Sequence, residues 1–479
     1  MPSCARLAAL AVFLASPAAS QSEVAELPPD LAASAIELRE AALADDRGYR
    51  LIESLTTEVG PRLAGSEAED RARRWAAAKM AELGFANIRI EPFEVPGWRR
   101  GVERAEVLGA SAQPLAVTAL GGSVGTPEDG VSGEVVRFND LYALEAAAEG
   151  SLAGKIAFVD LELYRTQDGS GYGNTNYIRG RSPSVAARKG AVAVLIRSVG
   201  TDSHRFPHTG VTRYAEDAPK IPAAALSNPD ADQLARLLQR GPVRVRLALG
   251  SEPLGSRPSG NVVGEIPGSE HPEEVVVIGG HLDSWDLGTG AVDDAAGVGI
   301  TMAAAKLILD SGRQPKRSIR VVLWGAEEIG LYGARAYAQA HRDALDRHAI
   351  AAESDFGAGR IWNFETCVGA EDRPTANAVH RLLRPLGIGR GEGDARGGPD
   401  ISPLRAAGVP VVTLHQDGSD YFDLHHTADD TFDKIDAGAI RQNVAAYAVF
   451  TWLAANLETD WREEGRAAPS GENAVPVCG

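Results

Sequence analysis

Four polar clusters hold the residues with the most chemical capacity in this 479-residue chain. Gly279-Gly280-His281-Leu282-Asp283-Ser284-Trp285-Asp286 follows an apolar run, and Asp293-Asp294 begins twelve residues after His281. Ala326-Glu327-Glu328-Ile329-Gly330, Ser354-Asp355-Phe356-Gly357 and His425-His426-Thr427-Ala428-Asp429-Asp430-Thr431 each follow another. Histidines and carboxylates together offer the nitrogen and oxygen ligands that zinc takes. Adjacent glutamates repel unless a cation or a proton separates their roles, so one can bind metal while its neighbour moves protons. Any one cluster has an ordinary explanation, such as acids drawn to a helix N-terminus by a dipole worth tenths of a kcal/mol up to about one. Four of them at strand ends supply ligands for two metals sharing one carboxylate, the arrangement of aminopeptidases and phosphatases.

The elements that must position these clusters alternate. Strands are predicted at Val275 to Ile278, Ile319 to Trp324, Ile350 to Glu353 and Val409 to Leu414, with helices at Ala295 to Leu309, Tyr332 to His341, Thr375 to Leu383 and Asp436 to Leu457. That alternation implies an α/β fold, a mixed and mostly parallel sheet with helices on both faces, whose ligands gather at the carboxyl ends of the strands. Upstream, a helix through Leu55, the break Gly60-Pro61-Arg62, a helix with Ala72, Trp75, Ala76, Met80 and Leu83 on one face, and a strand over Ile88 to Phe93 complete a first part at 46–125. Residues 126–254 read as a small inserted domain, with strands at Glu134 to Phe138, Lys155 to Asp160 and Ala191 to Ile196. The catalytic domain resumes over 255–459, and 460–479 reads as a loose tail.

A composition of 44% hydrophobic and 24% charged residues is that of a globular protein. The net charge of −17 argues against nucleic acid as a partner. Arg6, the apolar Leu7 to Ala15 and the small residues Pro17-Ala18-Ala19-Ser20 predict a signal peptide over 1–20, and so a secreted, periplasmic or extracellular location. That run is shorter than the ~20 residues of a membrane span. Residues 21–45 fit either a pro-segment or a first helix. Export leaves Cys367 and Cys478 where a disulfide is allowed, and two isolated thiols are the alternative.

The order His281-x-Asp283, Asp293-Asp294, Glu327-Glu328, Asp355, His426-Thr427 resembles the dizinc exopeptidases, the family of bacterial leucyl aminopeptidases and glutamate carboxypeptidases. Leu323-Trp324, Glu353-Ser354-Asp355, Tyr421-Phe422, Ile196-Arg197-Ser198-Val199 and Pro207-His208-Thr209-Gly210 extend the likeness, to the family's carboxypeptidase branch, over roughly residues 45 to 458. The resemblance implies two Zn²⁺ per subunit: one held by His281 and Asp355, the other by Glu328 and His426, with Asp293 bridging. It makes Glu327 the general base, Asp283 the partner that orients His281, and the Asp293–Asp294 peptide cis. His425 is the rival to His426, which the resemblance favours because the Thr-x-x-Asp-Thr that follows the family's ligand begins at Thr427. It further implies a homodimer and an insert of the protease-associated type.

His208 and Arg179 in the insert are candidates for binding substrate, against a loop-ordering role for His208 and a surface role for Arg179, Arg181 and Arg197. His271, His341, His348 and His380 are expected to be solvated. The resulting expectation is an exported exopeptidase for short peptides, most of all dipeptides with free termini. An aminopeptidase acting on longer peptides, a one-zinc glutaminyl cyclase and an inactive receptor-like relative are the alternatives, and the last is disfavoured by the complete ligand set.

Overall fold

A computed structural model describes residues 25–462. The expected signal peptide, residues 21–24 of the segment after it, residues 463–479 and Cys478 lie outside the described residues. The main sheet has eight strands, in the order Ala86–Arg99, Glu252–Ile266, Arg317–Trp324, His271–His281, His348–Glu353, Val411–Gln416, Ile361–Cys367 and Gly389–Asp394. The four central strands run parallel, so their carboxyl ends share one edge. Along the strand His271–His281, Val276 and Ile278 enter one core, under helices Ala296–Asp310 and Ala437–Asn456. Val275 and Val277 enter the other, with Tyr337 and Leu404. A strand buried on both faces reads as an unbroken apolar run, as this one does.

Local signals fix the ends of several elements. Ser66 Oγ accepts from Glu69 N at 3.2 Å to start the helix Glu67–Leu83, and Gly84 ends it with φ at +85°. The segment after residue 28 is a helix, Pro29–Leu43, with Ala35, Leu38 and Ala42 buried and Ser34 Oγ accepting from Trp452 Nε1 at 2.9 Å. The expected loose tail does not begin at residue 460, because Trp461 is buried and Arg462 donates to the carbonyls of Gly408 and His348. Cys367, buried at the end of its strand, is disulfide-bonded.

Strands Ala86–Arg99 and Glu252–Ile266 form a long antiparallel ribbon that leads out of the main sheet. It leads to a second eight-stranded sheet with its own core around Phe158, Leu195, Val245 and Leu247. Strand Glu103–Leu108 pairs with Arg244–Leu249 in that sheet, and Gln113–Leu115 and Val117–Ala119 belong to it as well. The second sheet therefore claims residues that the sequence reading placed before position 126. An insertion leaves and returns through neighbouring strands, and here those are 103–108 and 244–249.

Candidate active site

The parallel central strands deliver the four clusters to one place. His281 closes its strand, Glu327 and Glu328 follow Trp324, Asp355 follows Glu353, and His425 and His426 follow the short helix Tyr421–Leu424 beyond Gln416. His281 Nδ1 donates to the Asp283 carbonyl at 2.9 Å, which leaves Nε2 as the lone-pair nitrogen. That Nε2 lies 2.9 Å from Asp293 Oδ1 and 3.4 Å from Asp355 Oδ1. His426 repeats the pattern. Its Nδ1 faces the Thr209 carbonyl at 3.2 Å, and its Nε2 lies 2.9 Å from Glu328 Oε2 and 3.4 Å from Asp293 Oδ2. The two oxygens of Asp293 thus face two different histidines.

A lone pair aimed at a carboxylate oxygen is repulsive unless a cation or a proton lies between them. Asp293 Oδ2 and Glu328 Oε1 are buried with no hydrogen-bond partner among the described residues, a costly state for an anion. The ligand atoms of His281, Asp293 and Asp355 lie within 4.8 Å of one another, and so do those of Asp293, His425 and His426. Two ligand groups sharing Asp293 fit a pair of divalent cations. His425 is the weaker rival: its Nε2 is 3.7 Å from Asp293 Oδ2, and only His426 also reaches Glu328.

Charge follows geometry. Burial opposes a charge on His281, but unless a cation lies between them the Asp355 and Asp293 carboxylates raise its imidazole well above the usual range, so that Nε2 carries either a proton or a metal. Burial also works against the Asp293 charge, yet the facing His281 and His426 rings pull its carboxyl well below the usual range. Glu327 and Glu328 are both pushed well up, by burial first. Their contacts differ: Glu328 pairs with His426, whereas the half-buried Glu327 carboxylate has no side-chain partner among the described residues and lines the cavity.

The backbone here is shaped for the site. Ala326 and His426 take φ of +57° and +63°, a region that costs a non-glycine residue energy and tends to mark functional sites. The Asp293–Asp294 peptide is cis. Asp294 accepts from His281 N at 3.0 Å and Gly297 N at 2.9 Å. A Cβ at Gly280 would lie 2.5 Å from its Oδ2, so glycine is required there. The Asp283 carboxylate is 3.7 Å from His281 Nδ1 and accepts instead from Glu327 N at 3.0 Å and Glu328 N at 3.4 Å. It is Asp283's own carbonyl that fixes the His281 ring.

A cavity of about 410 Å³ opens onto these residues. Its other wall is the insert, through Tyr172, Asn176, Arg179, Val211 and Arg213. Tyr172 stacks on Phe422 at 4.8 Å, and Thr209 N donates to the His426 carbonyl at 3.0 Å, so the insert is docked onto the histidine loop. Residues 261–451 match peptidase family M28. The chain is 35% identical over 434 residues to carboxypeptidase Q of Homo sapiens, covering 90% of this chain and 89% of that one. The chain belongs to peptidase family M28.

A crystal structure of an M28 peptidase precursor from Shewanella amazonensis SB2B is 51% identical, with a TM-score of 0.89, and covers 90% of this chain and 98% of that one. A zinc aminopeptidase from Bacillus subtilis, at 19% identity, shares the fold with a TM-score of 0.62, covering 87% and 97%. This M28 member is a metallo-exopeptidase acting on peptides. Among its described residues no helix is long and apolar enough to cross a membrane.

In this peptidase His208 takes the loop-ordering place of its two readings, while Arg179, Arg197 and His348 leave the surface positions expected of them. His208 is fully buried, with Nε2 2.6 Å from Asp202 Oδ1 and Nδ1 2.7 Å from the His425 carbonyl, so both ring nitrogens serve the loop. Arg179 is not at the surface: it is buried, donating to Tyr172 Oη at 2.7 Å and the Val199 carbonyl at 3.2 Å. Arg197 is buried between Asp160 and Asp232, each at 2.6 Å. His348 is buried rather than solvated.

Two supports carried no assigned role in the sequence reading. The fully buried Arg62 donates to the carbonyls of Leu282, Thr289 and Gly290 at 2.5, 2.6 and 2.9 Å, clamping the loop between His281 and Asp293. Asp430 accepts from Val292 N at 2.7 Å and Asp293 N at 3.2 Å. Its place in the Thr-x-x-Asp-Thr run was the available signal. Arg62 had only its position after Gly60-Pro61.

Proposed function

We propose that this peptidase is an exported dizinc enzyme that hydrolyses short peptides, above all dipeptides with both termini free. The observation that carries the reading is the shared cavity, with metal-type residues on one wall and the insert on the other. At about 410 Å³ it lies low in the range of roughly 300–1,000 Å³ typical of small-molecule sites. Its lining between the charged walls is aromatic, with Phe356, Tyr421 and Phe422 available to a substrate side chain.

His281 and Asp355 would hold one ion, Glu328 and His426 the other, and Asp293 both. Bound zinc supplies Lewis acidity, lowering the pKa of water toward about 7 and polarising a carbonyl. Glu327, free of other side-chain partners among the described residues, takes the proton of the attacking water on its carboxylate and returns it to the leaving amine. Asp283 holds the main chain of both glutamates and so fixes where Glu327 points. Tyr172 over Phe422 and His425 helps exclude water. Likeness to carboxypeptidase Q along nearly the whole chain supports the exopeptidase choice. Export and a homodimer complete the proposal, to be read by N-terminal sequencing of the secreted protein and by light scattering.

The test is a panel of dipeptides, their C-terminal amides, N-blocked forms and longer peptides, assayed on zinc-loaded protein. Free dipeptides are expected to be cleaved fastest. Equal rates on dipeptides, amides and long peptides would overturn this reading and favour an aminopeptidase, for which only the free amine matters.

A further inference from the structure

The cavity is electrically lopsided. Asp293, Glu328 and Asp355 on one wall would be taken up by the metals and Glu327 by the proton, so the cationic groups left for a dipeptide's C-terminus lie on the insert. Two arginines face it from there, in different states. Both terminal nitrogens of Arg179 are engaged by Tyr172 and Val199, and its guanidinium lies 5.4 Å from the centre of the Tyr172 ring. It props up the roof.

Arg213 is exposed, and its side chain has no hydrogen bond or ion pair among the described residues, although it lines a cavity rich in carboxylates. Its main-chain N–H donates to the Gly180 carbonyl at 3.3 Å, which ties it to the first turns of the helix Tyr177–Arg188. Asn176, at the start of that helix, makes no capping bond with its side chain and lines the same cavity. The guanidinium rests on Gly330, where a Cβ would come within 2.7 Å of Nη2. Gly330 belongs to the turn that carries Glu327 and Glu328, and at φ +128° it suits glycine. An unspent five-donor fork is thereby held against the turn of the proposed base.

We propose that Arg213, assisted by the Asn176 amide, binds the free α-carboxylate of the substrate and so sets its length. The inference rests on the short-peptide reading above. A guanidinium takes a carboxylate with two parallel N–H···O bonds, which an amide or a continuing chain cannot accept in the same way. With its C-terminus held there, a substrate has little chain, at most about 3.3–3.6 Å per residue, to reach the metal-type cluster.

The experiment compares wild type, Arg213→Met and Arg213→Lys, all zinc-loaded, on one dipeptide and its C-terminal amide. Arg213→Met is expected to lose roughly 10- to 100-fold in kcat/KM on the dipeptide, the scale of a hydrogen bond to a charged group, mainly through KM. The amide should change by less than about twofold, and Arg213→Lys should recover part of the loss. Equal losses on both substrates would assign Arg213 a structural role and overturn the proposal. So would an unchanged preference for the free carboxylate in Arg213→Met, with the short-peptide reading left standing. A wild type that does not distinguish dipeptide from amide would show the failure of that reading itself, and the carboxylate anchor would fall with it.

Discussion

Glu327 and Glu328 are chemically identical neighbours whose surroundings divide their work. Glu328 is buried against His426 at 2.9 Å, whereas Glu327 is half-buried, faces the cavity and pairs with nothing among the described residues. Glu327→Gln should therefore keep its bound metal and lose roughly 10²- to 10⁴-fold in turnover, the range of a general acid or base. Glu328→Gln should lose metal. Elemental analysis beside steady-state rates separates the two, and the reverse pattern would mean that the roles are exchanged. Residue types and order singled out the four clusters, and the family resemblance named His281, Asp293, Glu327, Glu328, Asp355 and His426 within them; the fold brings these six to one place. Residue types and order could not reveal Arg62, whose importance lies in three carbonyls brought to it by the fold. Nor could they show which atom of Asp283 meets the His281 ring, since carbonyl and carboxylate belong to the same letter.

Elements with a single environment were legible, and mixed ones were not. The apolar runs ending at His281 and Trp324 are buried on both faces and announce themselves. The strand Glu252–Ile266 carries two prolines, three glycines and an exposed first half, so it lacks any strand period, and its pairing with Ala86–Arg99 and, at Val262 to Ile266, with Arg317–Trp324 defines it. His348 shows the same limit inside a strand. Its Nδ1 donates to the Ala344 carbonyl at 2.9 Å, and its Nε2 accepts from Tyr337 Oη at 2.9 Å, which in turn accepts from Arg320 at 2.6 Å. Burial first, with nearby Arg320, pushes it down to about 4. The unfolded chain takes up a proton near pH 6.5 while the folded protein does not, so stability falls as pH drops from about 6.5 toward about 4. Between pH 7 and 4.5 this group should cost the wild type about 2 kcal/mol that His348→Gln does not lose. Urea midpoints of both proteins at the two pH values read the difference, and equal acid sensitivity would contradict it.

Across the whole molecule, an acidic chain of net charge −17 places its ligand cluster where two sheets of separate cores meet. Neither unit makes the cavity alone: the main sheet brings the ligands and the proposed base, and the insert brings Tyr172, Arg179 and Arg213. A change of character along the chain announces a second unit, but a boundary formed by antiparallel pairing of residues 136 to 146 positions apart leaves no local mark. The central claim is that peptide hydrolysis here depends on two metal ions sharing Asp293. The most direct measurement is zinc back-titration of chelator-treated protein, following dipeptide hydrolysis and bound metal together. Activity should be absent without metal, because water near neutral pH is then too weak an acid to be activated, and should return fully as zinc approaches two equivalents per subunit. Full activity in protein shown to be metal-free would contradict the account, and full activity at one equivalent would remove the shared pair.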